Sequence, residues 1–393
     1  MRPRIILSLG NFFLSISATL VNYTLISYLS HFVPEVYIGV GISLGGGLAV
    51  IAFLFLPRLV TTLGAQRLVI FFTLLEMILL FAAAELPHSI ASAIFVILVV
   101  SLQPLLLYEL DLLLEATIEK TNETSRVRTF FLTGGNLGSL AAPLLIGALL
   151  ANTENYVPVF LAAAAILTPF IVLFAGRELP KGKTPDLYQA PDTFKHILKD
   201  RDLAAVTFGH LVLYLFYVWA PLYVPVYLRV VLGIPWSTLG WMFSVMLIPY
   251  ILIEYPAGWI ADRILGDQEM MLAGFLIAGS ALAAVSLITR DSSPYLILFI
   301  LLMTRTGSAF IESMTEGHFF RCVSEKDVFS VSVFRGVWPL ANVIAPLVGG
   351  FLLFFGSYQL FFVLTGGFVA LGGAATIFFI RDFDPKKGRV CPT

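Results

Sequence analysis

Charge is scarce in this chain. Only 12% of its residues are Asp, Glu, Lys or Arg, against about 25% in soluble domains. A soluble fold could not cover the apolar remainder, 58% of 393 residues with a mean hydropathy of +0.91. The shortage excludes a soluble enzyme or binding domain and leaves a polytopic membrane protein. Cysteine is nearly absent as well. Cys322 and Cys391 are the two in the chain; neither has metal-site spacing, and both fall in segments placed on the cytoplasmic side, where no structural disulfide is expected. A net charge of −1 gives no reason to expect nucleic acid as a partner. There is no phosphate-cradling P-loop, so ATP does not drive the protein directly. Arg2 and Arg4 precede an apolar run to Ser30 that is too long for the core of a signal peptide, so it is read as a retained first helix.

What is present is a series of apolar runs, each near the roughly 20 residues that a helix needs to cross a bilayer. Twelve are expected: about 5–30, 37–56, 68–84, 90–112, 128–151 and 156–176, then 203–228, 236–257, 268–288, 294–318, 328–354 and 357–380. Lengths of this kind suit helices, not strands. With the N-terminus in the cytoplasm, 20 of the 24 Lys and Arg fall on that side. Only Arg229 and Arg290 fall on the other, and Arg305 and Arg335 fall inside spans. That bias predicts a multi-pass protein of the plasma (inner or cell) membrane with both termini cytoplasmic.

The loop at 177–202 carries Pro180, Pro185 and Pro191 and then a short amphipathic stretch from Phe194 to Lys199. It reads as a linker with an interfacial helix. The expected organisation is a six-helix bundle over 1–176, the linker 177–202, a second bundle over 203–380, and a cytoplasmic tail over 381–393. The halves repeat each other. Ala142, Pro143 and Gly147 recur 203 residues later as Ala345, Pro346 and Gly350, and Glu109 recurs as Glu312. Leu63-Gly64 and Gln66 recur 202 residues on as Leu265-Gly266 and Gln268. Two parallel six-helix repeats mark one transporter architecture.

Gly258, Asp262, Arg263 and Gly266 lie in the turn between spans eight and nine. Their spacing resembles the G-x-x-x-D-R-x-x-G loop signature of the major facilitator superfamily, with Asp267 and Glu269 where that family has basic residues. The first half keeps Gly64 and Arg67 but has Val60 in place of the aspartate. Together with the repeat, the resemblance covers nearly the whole chain. It implies an all-α integral membrane fold of twelve helices in two pseudo-symmetric bundles, working by alternating access around a cavity lined by spans one, four, seven and ten. It also implies a gating contact between Asp262 and the start of span five, where Arg126 and Arg128 stand and helix N-terminal amides favour an acid. The stretch Ala345 to Gly350 is similar to an element of the family's drug/proton antiporters, found there in span five. Efflux is the direction this favours.

An ionisable group inside a span is a functional candidate by default. Span ten places Arg305, Ser308, Glu312 and Glu316 on one helical face. Arg305 is expected to contact substrate or a coupling carboxylate, or else to form a structural ion pair within the second half. A Glu312–Arg335 pair is expected between spans ten and eleven. The span-seven stripe His210, Tyr214 and Tyr217 is expected to line the cavity, with Asn22 from span one; Asn11 is expected to bond between helices. Glu312, Glu254 and Glu76, in that order, are the coupling candidates. Glu109 and Asp111 are expected to be wetted at a span end. Gly41, Gly45, Gly46 and Gly47, and Gly366, Gly367, Gly372 and Gly373, are expected at helix contacts.

These residues lead to a secondary transporter of a small organic solute, proton-coupled, in which no enzyme, cofactor or metal site is expected. The expected partners are the solute, protons and the bilayer, around a monomer. Two other classes are the alternatives. An integral membrane enzyme would need an acidic or histidine cluster on a loop, and the 319–327 loop mixes Arg321, Glu325, Lys326 and Asp327. A non-transporting sensor or scaffold would have little use for the costly buried charge at Arg305 and Glu312.

Overall fold

The computed structural model describes residues 3–117, 124–180, 200–253, 256, 260, 266–323 and 328–380. Among them there is no strand, and the helices follow one another in twelve segments. These are α1 (Pro3–Leu29), α2 (Glu35–Leu63), α3 (Ala65–Glu85), α4 (Ile90–Glu115), α5 (Thr124–Leu150) and α6 (Val157–Ala175). Then come α7 (Arg201–Val231), α8 (Trp236–Leu252), α9 (Asp267–Leu287), α10 (Pro294–Cys322), α11 (Val328–Phe355) and α12 (Tyr358–Ile377). Ten have the length and apolarity to cross a membrane; the apolar parts of α2, Tyr37–Phe53, and of α8 are shorter. A break at Leu247 divides α8 just before Pro249, whose missing N–H cannot continue the helical ladder. α7 ends in a π-helical turn, Tyr227–Val231, and α12 contains another, Phe368–Gly372.

By contacts the chain forms two compact units, Met1–Thr184 with Pro221–Ser244, and Pro185–Ala220 with Val245–Thr393. In the first, α1 packs on α4, α5 and α6. Gly134 and Gly138 on α5 lie against the carbonyls of Ser8 and Phe12, where any Cβ would collide, so the two backbones touch. Asn11 Nδ2 donates to Phe131 O at 3.0 Å across the same seam. In the second unit, α9 packs on α10 and α12. Gly274 and Gly307 form one glycine seam there, and Gly279 and Gly366 the other. The glycines differ where the sequence treated them alike. Gly366 and Gly373 abut other helices, whereas Gly47 and Gly367 face open space.

The segment Pro221–Ser244 packs with the first unit. Gly240 meets Pro143 and Gly147 of α5. Ser244 Oγ donates to Leu140 O at 2.7 Å, and Phe243 lies edge-on to Tyr23, with 5.3 Å between centroids. Glu154 accepts from Arg229 at 3.5 Å and lies 3.2 Å from His31 Nε2. Burial, then the Glu154 charge, pushes the neighbouring Tyr156 hydroxyl up to about 12, so it remains a neutral phenol. Pro221 and Pro225 lie within α7, and Gly233 follows it with a φ of +75°, a conformation that glycine adopts without steric cost.

The sequence repeat has a structural counterpart. Gly64 and Gly266 stand at the starts of α3 and α9 with φ of +86° and +105°. Two residues on, Gln66 Nε2 donates to Phe174 O and Arg177 O at the end of α6. Gln268 Nε2 donates to Ile380 O at the end of α12. Each glutamine so satisfies carbonyls that a helix end leaves without partners. Gln66 also accepts from Leu179 N at 3.0 Å. Replacing Gln66 with Leu is expected to cost about 2 kcal/mol and Gln268 with Leu about 1 kcal/mol. Thermal unfolding in detergent measures both, and an unchanged midpoint for Gln66→Leu would remove the tie from the fold's support.

Candidate functional site

The second unit gathers most of the polar residues singled out on spans seven and ten. Tyr217 on α7 donates from its hydroxyl to Glu312 Oε2 on α10 at 2.6 Å. One helical turn toward the start of α10, Ser308 Oγ donates to Arg305 O at 3.1 Å. Its single hydrogen is thereby used, so Tyr250 donates in the 2.7 Å contact between the Tyr250 and Ser308 hydroxyls. The Tyr217 and Tyr250 rings lie 6.1 Å apart at 71°, and Tyr214 meets Tyr217 edge-on at 5.7 Å. Arg305 is 3% exposed, with its guanidinium 5.4 Å from the Phe216 ring centre. Spacing by turns of α10 thus presents, in order, a cation, a hydroxyl and an acid, faced by two phenols.

His210 belongs to the same stripe of α7 but not to this face. It is fully buried, stacked on Phe334 at 3.9 Å. Thr315 Oγ1 already donates to Ile311 O, so the 3.1 Å contact makes His210 Nδ1 the donor to Thr315. The ring therefore carries its proton on Nδ1, and Nε2 has no hydrogen-bond partner among the described residues.

Arg335, expected opposite Glu312, donates from Nη1 to Glu316 Oε1 at 2.9 Å. The reason is the geometry of a helical hairpin. Glu316 and Arg335 stand equally far in sequence from residues 324–327, while Glu312 lies one helical turn farther away. Glu312 is left with a phenol as its hydrogen-bond partner.

In the first unit, Asn22 Nδ2 donates to Gln103 Oε1 at 3.0 Å, joining α1 to α4. Gln103 Nε2, beside the in-helix Pro104, has no partner among the described residues. Glu76 is buried on α3 with Oε1 3.5 Å from Ser17 Oγ. Glu109 departs from expectation: it is not wetted but fully buried, and neither oxygen has a hydrogen-bond partner among the described residues. The length of α4 explains this, since the helix runs on to Glu115 and leaves Glu109 well short of its end.

Of the gating candidates, Glu254, Gly258, Asp262 and Arg263 lie outside the described residues, as do the side chains of Arg126 and Arg128. Gly266 stands at the N-cap of α9. Next to it the structure shows a cluster that sequence reasoning missed. His318 near the end of α10 lies 3.1 Å from Asp267 through Nδ1 and 3.2 Å from Asp202 through Nε2. All three side chains are buried. One imidazole thereby joins the starts of α7 and α9 to the end of α10. Cys322 Sγ lies 3.5 Å from Asp202. A helical count from Glu312 could have placed His318 at the end of span ten, but no sequence pattern tied it to Asp202. Tyr250 carried no signal either, standing alone in an apolar run.

Residues 224–390 match the family model of the Major Facilitator Superfamily. No curated protein matches the chain in sequence. Solved structures match along nearly all of it. A crystal structure of the peptide transporter POT in complex with sulfate superposes with a TM-score of 0.73 at 15% identity, covering 99% of this chain and 96% of that one. A mutant of the peptide transporter POT in complex with alafosfalin gives the same TM-score and identity. A POT family transporter in complex with a thioalcohol-conjugated peptide gives 0.72 at 12% identity, with 96% of each chain covered. This chain therefore has the fold of these solved peptide transporters along nearly all of its length, and its residues 224–390 are similar in sequence to the Major Facilitator Superfamily.

Proposed function

We propose that the protein is a secondary transporter that carries a small zwitterionic solute, of the size of a short peptide, by alternating access and coupled to protons. The observation that carries this reading is the α7–α10 network, in which Arg305 and Glu312 flank Ser308 and are faced by Tyr217 and Tyr250. Arg305 and Glu312 are seven residues apart, about 10 Å along the helix axis. An extended chain of about three residues has that length, so a carboxylate at Arg305 and an ammonium at Glu312 could belong to one molecule. The solved transporters with this fold include peptide carriers, which supports the same substrate class. Direction stays with the Ala345-Pro346 element, whose resemblance to the drug/proton antiporters favours export.

Both termini are placed in the cytoplasm by the distribution of Lys and Arg, and Asp262 is assigned to the gate on that side. Replacing Asp262 with Asn is expected to lower transport severalfold at unchanged expression. Normal transport by that variant would remove it from the gate.

The test of the whole reading is reconstitution of the purified chain in vesicles holding a pH-sensitive dye. Pools of di- and tripeptides, amino acids, sugars, organic acids and cationic drugs would be added on either face. A peptide-dependent proton flux is the expected result. Solute movement without protons would overturn the coupling. A response confined to sugars or organic acids would overturn the substrate class.

A further inference from the structure

The membrane-facing side of the second unit has a groove between α7 and the end of α12. Its volume is about 400 Å³. Ala204, Ala205, Gly372 and Ala375 form its floor, and Phe208 and Phe379 its walls. Small side chains on both helices leave the groove empty. The π-helical turn Phe368–Gly372 adjoins it; turns of this kind are costly and recur at binding sites. The surroundings identify the phase that the groove opens into. Phe208 is 44% exposed, Leu371 73% and Phe378 84%. Such a surface is stable against hydrocarbon and unstable against water.

Arg201 closes one end. It begins the α7 span, so it stands at the membrane interface. It is exposed, stacked 4.6 Å from the Phe379 ring centre, and forms no ion pair among the described residues. The nearest acid in sequence, Asp200, is engaged in capping α7 through the N–H groups of Asp202 and Leu203. From Arg201 to Phe208 the groove runs about 10 Å along the helix, most of the way through one leaflet of a hydrocarbon core about 30 Å thick. The occupant must be anionic at the interface and apolar below it.

We infer that this groove is a binding site for an anionic phospholipid, with the headgroup phosphate on Arg201 and one acyl chain along the alanine and glycine floor. A basic residue at the mouth of an interhelical groove recognises such headgroups by charge, and the stacking on Phe379 holds the guanidinium in place without neutralising it. The site is separate from the α7–α10 network and does not depend on what that network transports.

The test uses the full chain in detergent, offered equimolar phosphatidylglycerol and phosphatidylcholine with matched acyl chains and read by native mass spectrometry. Phosphatidylglycerol is expected to be retained about fivefold over phosphatidylcholine, the preference one interfacial arginine supplies. Arg201→Gln should bring the ratio to about one. Ala375→Phe, an exposed position that tolerates the added volume, should reduce retention of both lipids. Arg290→Gln, elsewhere on the surface, should change nothing. A phosphatidylglycerol bearing a photoreactive acyl chain should label peptides of α7 and α12. An unchanged ratio in Arg201→Gln, or labelling confined to other helices, would overturn the site.

Discussion

Glu312→Gln is expected to abolish proton-driven transport and to spare solute exchange. The carboxyl accepts from the Tyr217 hydroxyl, and Arg335 Nη1 bonds to Glu316. A carboxyl inside a span, bonded to a phenol, is a candidate to take and release a proton during the cycle. Glutamine is nearly isosteric and its amide oxygen still accepts from Tyr217. The lost interaction with a substrate ammonium should therefore weaken exchange by no more than about tenfold, or 1.4 kcal/mol. Proton flux into dye-loaded vesicles should fall to background. The paired assay is counterflow of labelled solute with no pH gradient. Loss of both activities would make Glu312 a binding group alone, and retention of both would move coupling to another acid, with Glu109 and Glu76 as the buried candidates of the first unit.

The second large effect concerns two neighbouring glycines. Gly366→Ala is expected to cost about 3 kcal/mol or more, because its Cβ would enter the backbone of α9 at Ala283 and force the helices apart. Gly367→Ala adds the same methyl group where nothing lies within 4 Å. There the higher helix propensity of alanine should stabilise α12 by up to about 1 kcal/mol. Thermal unfolding of the two variants in one detergent decides the matter. Shifts of the same sign would mean that the seam between α9 and α12 is not a backbone contact.

These two glycines also show how far the sequence could be read. The span pattern was legible because membrane length and apolarity are local properties, and every expected run has a helix in the structure. The repeat was legible because Gly64 and Gly266 need positive φ, which restricts the residue more tightly than burial does. Which of two adjacent glycines touches a neighbour depends on helix rotation, which no composition reports. The site was half legible: Tyr217, Arg305, Ser308 and Glu312 stood out as polar groups in apolar surroundings. Tyr250 was missed because a tyrosine is ordinary in a membrane helix. The Asp202–His318–Asp267 cluster was missed because its members come from three distant segments.

Gln66 and Gln268 have a consequence for how the chain is made. Each glutamine lies at the start of the third helix of its half, yet the carbonyls it satisfies belong to the end of the sixth. During synthesis Gln66 leaves the ribosome about 110 residues before Arg177, and Gln268 about 110 before Ile380. Through that interval the amide can be met only by water, lipid headgroups or a chaperone at the membrane. Neither tie can form until the sixth helix of its half has been delivered. A nascent chain halted after α5 would thus present an open bundle to the insertion machinery, and release from that machinery would coincide with arrival of α6.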